Sequence, residues 1–445
     1  MRQDPKRVKP ARKPIMSMRQ CALVSRVCRI SAVVIVMTIL IGWRHPRSPL
    51  NVFATRDAHR VHDHVVAVTS AFMTTFQPSS VSFGTETDPP DFTFVVMTTK
   101  RPVTYLNVFF WSLITGSTAG DLKSVRVALI NTNEPSQVDT GLDRFRDVPG
   151  VTVRDIYGRQ SGQRKSETTR DLEKTIASLR SGKSQTRKKV KEWFRDQYVG
   201  YVEALRECLD SKAPWCIICE EDAMLSRAFL VRLRALLEQR PEPRRKHLML
   251  KAYVGDFLTG FEYSFRTLFE LILLPAIVSL CIAVLAMNPQ LCRRARFMTM
   301  GRTRDYEPLL VVTGTFKTGA ILACVVFGTT ITVMMILGRQ QIVEMFERRD
   351  PHLGPCTEAA GNVANVFTRS SAIALKLHLE QRLYKAVDQL KPIDLDMFEW
   401  MQDSGDWDLL EVTPSIVQHM GAMSSNPSCK TPKYTDNDSR FTLDT

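Results

Sequence analysis

Apolar positions divide the chain into two kinds of segment. Three runs, Ile30–Trp43, Leu271–Met287 and Gly319–Gly338, are apolar on every side, and the last carries no charge over its whole length. A helix needs about 20 apolar residues to cross a bilayer, so the second and third runs predict spanning helices. Pro275 in the second is tolerated there. The first run reaches the length when Val27 and Cys28 join it and Arg26 and Arg29 snorkel to the interface. Trp43-Arg44-His45-Pro46 follows it where a cleaved signal peptide would have small residues, so it is read as an uncleaved anchor.

The remaining chain has the pattern of an α/β body. Phe92–Met97, Val125–Ile130, Val151–Ile156, Trp215–Cys219, His247–Lys251 and Leu409–Val412 read as strands. Helical spacing is expected over Val103–Ile114, Lys188–Leu209, from Ser226 onward, and over Ser371–Leu390. Strand and helix alternate, which predicts a Rossmann-like mixed sheet with ligands at the C-terminal ends of its strands. Residues 44–90 show no sustained period and are expected to be a stem. Residues 159–189, with ten Lys/Arg against three acids, read as a solvated loop.

Charge assigns the apolar runs to a membrane. Of the net +14, residues 1–29 supply +8 (nine Lys/Arg against Asp4) and residues 288–318 supply +4 (six against Asp305 and Glu307). Both clusters border apolar runs, which argues for a membrane partner and against a DNA- or RNA-binding body. The positive-inside rule makes both clusters cytosolic. The expected order is a cytosolic tail (1–26), an anchor (27–43), a stem (44–90) and the first part of a lumenal body (91–267). A helix (268–287), a cytosolic loop (288–318), a second helix (319–338) and the second part of the body (339–445) follow.

Five cysteines, Cys208, Cys216, Cys219, Cys356 and Cys429, fall on the lumenal side, where disulfides are permitted. Cys216 and Cys219 have redox-motif spacing but sit in a strand pattern, and are read as core. Asn437-Asp438-Ser439 is a glycosylation acceptor on that side.

Candidate chemistry centres on Glu220-Glu221-Asp222, which ends an apolar strand. Three carboxylates there are costly to bury alone and become useful when a divalent cation neutralises them; oxygen ligands suit Mn2+ or Mg2+. An acidic surface turn is the alternative. His419, in a late strand-to-loop passage, would complete such a site and favours Mn2+ over Mg2+.

Three features occur in order: a strand with Thr98-Thr99-Lys100-Arg101-Pro102, a strand with Glu220-Glu221-Asp222, and Pro414-Ser415 followed by Gln418-His419, Gly421 and Ser424-Ser425. This order resembles the nucleotide-sugar transferases of the A-type fold, and the N-glycan GlcNAc transferase IV family among them. The placement of two apolar runs between the acidic and the histidine motifs is similar to the post-GPI-attachment GalNAc transferase family of the Golgi. That resemblance implies an A-type glycosyltransferase fold interrupted by a transmembrane hairpin, a UDP-sugar donor, a bound Mn2+ (or Mg2+), and inversion at the anomeric carbon. The acceptor it implies is the mannose core of GPI anchors on GPI-anchored proteins.

By the same resemblance Asp222 and His419 hold the metal. Glu220 and Glu221 touch the ribose or the metal's waters, with Glu221 assigned to the metal and Glu220 to the donor. Thr98, Lys100 and Arg101 meet the nucleotide, and Asn131 or Glu134 reads uracil or ribose. Inversion needs a general base for the acceptor hydroxyl; Asp394 is the choice, from a set that includes Asp396, Glu399, Asp256 and Glu262. Two other readings stand: a UDP-GlcNAc transferase acting on N-glycans, and a non-catalytic adaptor. The spans carry no charged pair, which argues against a transporter.

Overall fold

The computed structural model describes residues 18–44, 54–84, 90–99, 104–132, 141–156, 185–240, 245–253, 265–287, 316–337, 350–356, 361–385 and 389–421. In chain order its helices are α1 (Met18–Arg44), α2 (Ala54–Thr75), α3 (Leu106–Thr115), α4 (Ala119–Lys123), α5 (Gln185–Asp210), α6 (Phe229–Glu238), α7 (Phe265–Met287), α8 (Phe316–Leu337), α9 (Arg369–Leu383) and α10 (Ile393–Ser404). Its strands are β1 (Phe92–Thr98), β2 (Val125–Asn131), β3 (Val151–Asp155), β4 (Trp215–Glu220), β5 (Ala223–Leu225), β6 (His247–Lys251), β7 (His352–Pro355), β8 (Ala364–Thr368), β9 (Trp407–Thr413) and β10 (Val417–His419). The chain divides into two compact units, one of residues 1–53 and 259–346, the other of residues 54–258 and 347–445.

The second unit is built on an eight-stranded mixed sheet in the order β3-β2-β1-β4-β8-β6-β9-β7. Strands β3, β2, β1 and β4 are mutually parallel, and 3-2-1-4 is the order across the switch point of a doubly wound fold. β8 runs antiparallel between β4 and β6. Residues before and after the apolar helices therefore share one sheet.

Side chains alternate between two apolar layers, as strand geometry requires. Phe94, Val96, Val127, Leu129 and Ile217 meet Phe109 and Phe110 of α3 and Leu230 and Leu233 of α6. Val95, Ala128, Ile130 and Ile218 meet Tyr198 and Leu205 of α5, Leu375 of α9 and Met397 of α10. The central strands are thus buried on both faces, which is why they read as continuous apolar runs.

Two expectations change here. The segment expected to be an aperiodic stem contains α2, whose Val65 is buried with Tyr105 and Val108 of the sheet unit and whose His62 Nε2 lies 2.9 Å from the Tyr105 hydroxyl. Cys216 is not merely core: it forms a disulfide with Cys208, joining the end of α5 to the start of β4, while Cys219 stays a buried thiol. Cys429, Asn437 and most of the basic loop 159–189 lie outside the described residues.

The first unit holds α1, α7 and α8. Among the described residues one stretch, Gly319–Ile336 of α8, is long and apolar enough to cross a membrane, with a mean hydropathy of 2.2; the apolar part of α7, Phe269–Val284, is shorter. Leu271 of α7 is buried with Met334 of α8. Large apolar side chains on α1 (Ile30, Val33, Val36) and α7 (Phe269, Ile277, Leu280) are otherwise exposed. Hydroxyls on these helices satisfy themselves: Thr329, Thr330 and Thr332 each donate to the carbonyl four residues back, and Ser279 donates to that of Pro275.

Candidate metal centre

The acidic triplet sits where β4 leaves the sheet, beside the point at which the strand order reverses around β1. The Glu221 N–H donates to the Met97 carbonyl (3.2 Å) and that of Glu220 to the Val363 carbonyl (3.0 Å), fixing the turn. The chain then enters β5, which pairs antiparallel with β10 so that His419 lies opposite Ala223. The Met420 N–H donates to the Asp222 carbonyl (2.9 Å), and that of Ser226 to the Ile416 carbonyl (3.0 Å). This short ribbon brings residues almost 200 positions apart together. His419 Nε2 comes within 3.1 Å of Asp222 Oδ2.

Glu220, Asp222 and His419 each offer one ligand atom, all within 4.8 Å of one another. Two carboxylates and an imidazole form a donor set that fits Mn2+ and accepts Mg2+ less well. Asp222 is fully buried and His419 partly so, so a cation here would offset the cost of a buried carboxylate. One member differs from expectation: Glu220, assigned to the donor, belongs to the group, whereas Glu221 is 2% exposed and outside it. The reason is the turn that follows β4: it carries Asp222 toward His419 through the β5–β10 ribbon, while Glu221, whose N–H donates to the Met97 carbonyl, is buried apart from the group.

A cavity of about 760 Å³, counting its open mouth, adjoins this group and shares Glu220 with it. Its wall includes Thr98 and Thr99 after β1, Thr132 after β2, and Trp193, Gln197 and Tyr201 of α5. Its position, at the C-terminal ends of β1 and β2, is the one doubly wound sheets use for ligands. Thr98 is fully buried and its hydroxyl donates to the Ile130 carbonyl (3.3 Å), so it shapes the wall. Asn131 does not line the cavity; its amide donates to Asp155 Oδ1 (2.8 Å). Lys100, Arg101 and Glu134 lie outside the described residues.

Asp394 occupies the first turn of α10 and is half-buried. Its Oδ2 accepts from the Gly361 N–H (3.3 Å) and its Oδ1 from that of Leu395 (2.9 Å); its neighbour Ile393 lines the cavity. Burial pushes the Tyr201 phenol above its usual range. Its Asn365 hydrogen bond works the other way, while the charges of Glu220 and Asp394 add to the rise.

The other base candidates are occupied or undescribed. Asp396 is buried and held by Arg382 through two contacts of 2.7 and 2.8 Å, with His378 Nε2 at 3.5 Å. Burial opposes its ionisation, but the neighbouring His378, Tyr198 and the Arg382 guanidinium outweigh this and hold its carboxyl at about 2. Glu399 is paired with Lys391 at the surface, and Asp256 and Glu262 are not described.

In comparison with known proteins, no family model matches the chain and no curated sequence does.

Proposed function

We propose that the protein is a membrane-bound, metal-dependent glycosyltransferase that moves a sugar, GalNAc first among the candidates, from a UDP-sugar to the mannose core of GPI anchors. One observation carries the reading: the Glu220–Asp222–His419 group opens through Glu220 into a cavity at the C-terminal ends of parallel strands. Mn2+ bound there would neutralise the donor diphosphate and stabilise the departing UDP. Glu220, Asp222 and His419 are the residues that would hold it.

Asp394 is proposed to take the proton from the acceptor hydroxyl. That oxygen bonds to the anomeric carbon as the carbon–oxygen bond to UDP breaks on the opposite face, which inverts the configuration. The order of the motifs supports the UDP-sugar donor. The apolar unit between β6 and β7 and the two basic clusters support a Golgi-membrane location with the sheet unit lumenal, and the Cys208–Cys216 disulfide fits an oxidising lumen. An acceptor anchored in lipid then lies within reach of a catalytic unit tethered at the same surface, raising its effective concentration.

The test is a donor panel of UDP-GalNAc, UDP-GlcNAc and UDP-Gal on the purified full-length protein, with Mn2+, Mg2+ or EDTA and a GPI-anchored protein as acceptor. Cation-dependent release of UDP together with transfer to the anchor is expected. Turnover of none of these donors with either cation would refute the proposal, and preference for UDP-GlcNAc with N-glycans would replace the acceptor.

A further inference from the structure

The sequence nominates Asn131 or Glu134 to read the nucleobase, but Asn131 is engaged with Asp155. The cavity's longest continuous wall is instead one stripe of α5. Trp193, Asp196, Gln197, Gly200 and Tyr201 all line it, at the i, i+3, i+4, i+7, i+8 spacing of a single helix face. We infer that this stripe seats the nucleoside of the donor, with Trp193 as the stacking platform for the base and Asp196 and Gln197 as the polar groups facing its edge and ribose.

The inference rests on the nucleotide-sugar reading, and three observations support it. Glu220 belongs to both the cation group and the cavity wall, so a diphosphate held at the cation enters the cavity from that end. Tyr201 marks the same end of the stripe: its hydroxyl accepts from Asn365, which lies opposite Ile218, two residues before Glu220 on β4. Trp193 lies eight residues, about 12 Å, back along the helix, over which phosphate, ribose and base would be laid out in turn. Second, the lining offers two aromatic side chains, and Tyr201 is the wrong one for stacking: it is 1% exposed and its hydroxyl accepts from Asn365 (3.1 Å). Trp193 is the more open of the two. Third, Gly200 lets the helix close onto the end of β2, since a Cβ there would meet the Thr132 Cγ2 at 3.2 Å. A side chain at that position would press into the cavity between its two ends.

Calorimetric titration of the full-length protein with UDP and with inorganic pyrophosphate, both in Mn2+, tests this. Base stacking implies that Trp193→Ala weakens UDP binding by about 5- to 150-fold. Affinity for pyrophosphate should stay within about twofold, because the seat ends before the phosphates. Trp193→Phe, which keeps a ring face, should recover most of the UDP affinity. Unchanged UDP binding by Trp193→Ala would overturn the assignment. Equal losses for UDP and pyrophosphate in both variants would also overturn it, making Trp193 part of the scaffold. A wild-type protein that binds neither ligand with Mn2+ would instead overturn the nucleotide-sugar reading itself.

Discussion

Asp222→Asn separates a cation site from an acidic turn, because it keeps the side-chain volume and removes one charge. Without a cation, the Glu220 and Asp222 ligand atoms lie within 4.8 Å, and at an effective dielectric constant near 20 two such charges repel by about 3.5 kcal/mol. The Asp222–His419 contact at 3.1 Å works in the other direction, a charge-assisted hydrogen bond contributing about 1.5–3 kcal/mol. The cation-free variant should therefore be more stable than the wild type by about 0.5–2 kcal/mol. Cation reverses the order. At a concentration 100 times its dissociation constant it stabilises a folded site by about 2.7 kcal/mol, which raises Tm by roughly 5–10 °C at about 2–4 °C per kcal/mol for a large domain.

The assay is thermal unfolding of both proteins with Mn2+ and with EDTA. The expected result is a crossing: the variant melts higher in EDTA and lower in Mn2+, with a cation shift below about 1 °C. A variant that keeps the wild-type shift would refute the cation site. A variant several kcal/mol less stable in EDTA would show that the carboxylate serves the fold instead.

Asp394→Asn should lower the turnover of transfer by about 10²- to 10⁴-fold with UDP affinity unchanged, as loss of a general base requires; wild-type turnover would move the base elsewhere. Asp396 should shape the acid limb of stability: its carboxyl is held at about 2 in the fold against 3.8 ordinarily, so it contributes about 2 kcal/mol at neutral pH. That contribution is present above pH 4 and lost as pH falls through 2, and in chemical-denaturation curves Asp396→Asn should flatten this window. An epitope within 288–318 should be digested from the cytosolic side and one after Thr445 protected; both epitopes on one side would remove the split arrangement. Replacing residues 268–338 by a soluble linker should retain UDP-sugar hydrolysis but lose transfer to GPI-anchored proteins in cells, and full transfer would make the apolar helices incidental.

What the sequence reveals and what it hides follow from periodicity and length. β1, β2 and β4 are legible because burial on both faces leaves an unbroken apolar run. β8 escapes notice, although it lies between β4 and β6, because it has five residues with fully buried Asn365 among them. β5 and β10 are three residues each, too short to show a period, yet their pairing delivers His419 to Asp222. The choice between Glu220 and Glu221 is hidden for the same reason, since β4 ends at Glu220 and the turn that follows, not a strand period, sets where Asp222 and Glu221 lie. The helical spacing over Lys188–Leu209 makes most of α5 legible, but not its duty as a cavity wall, which depends on distant β1 and β2.

The sheet itself constrains how the apolar helices run. β6 pairs only with β8 and β9, and both come from the chain beyond those helices; β4 likewise meets β8. If the two parts of the chain ended in different compartments, β6 would lose all of its ladder hydrogen bonds and Asp222 would lose His419. The number of membrane crossings between residues 253 and 350 must therefore be even. α8 carries the one stretch among the described residues that meets both the length and the apolarity of a span; if it crosses a membrane, an even count demands a second crossing. α7 can provide it: its 23 residues extend about 34 Å along the helix axis, against about 30 Å of hydrocarbon. The pairing of strands in the sheet unit thus argues that a crossing by α8 is matched by a second one, which hydropathy alone leaves short.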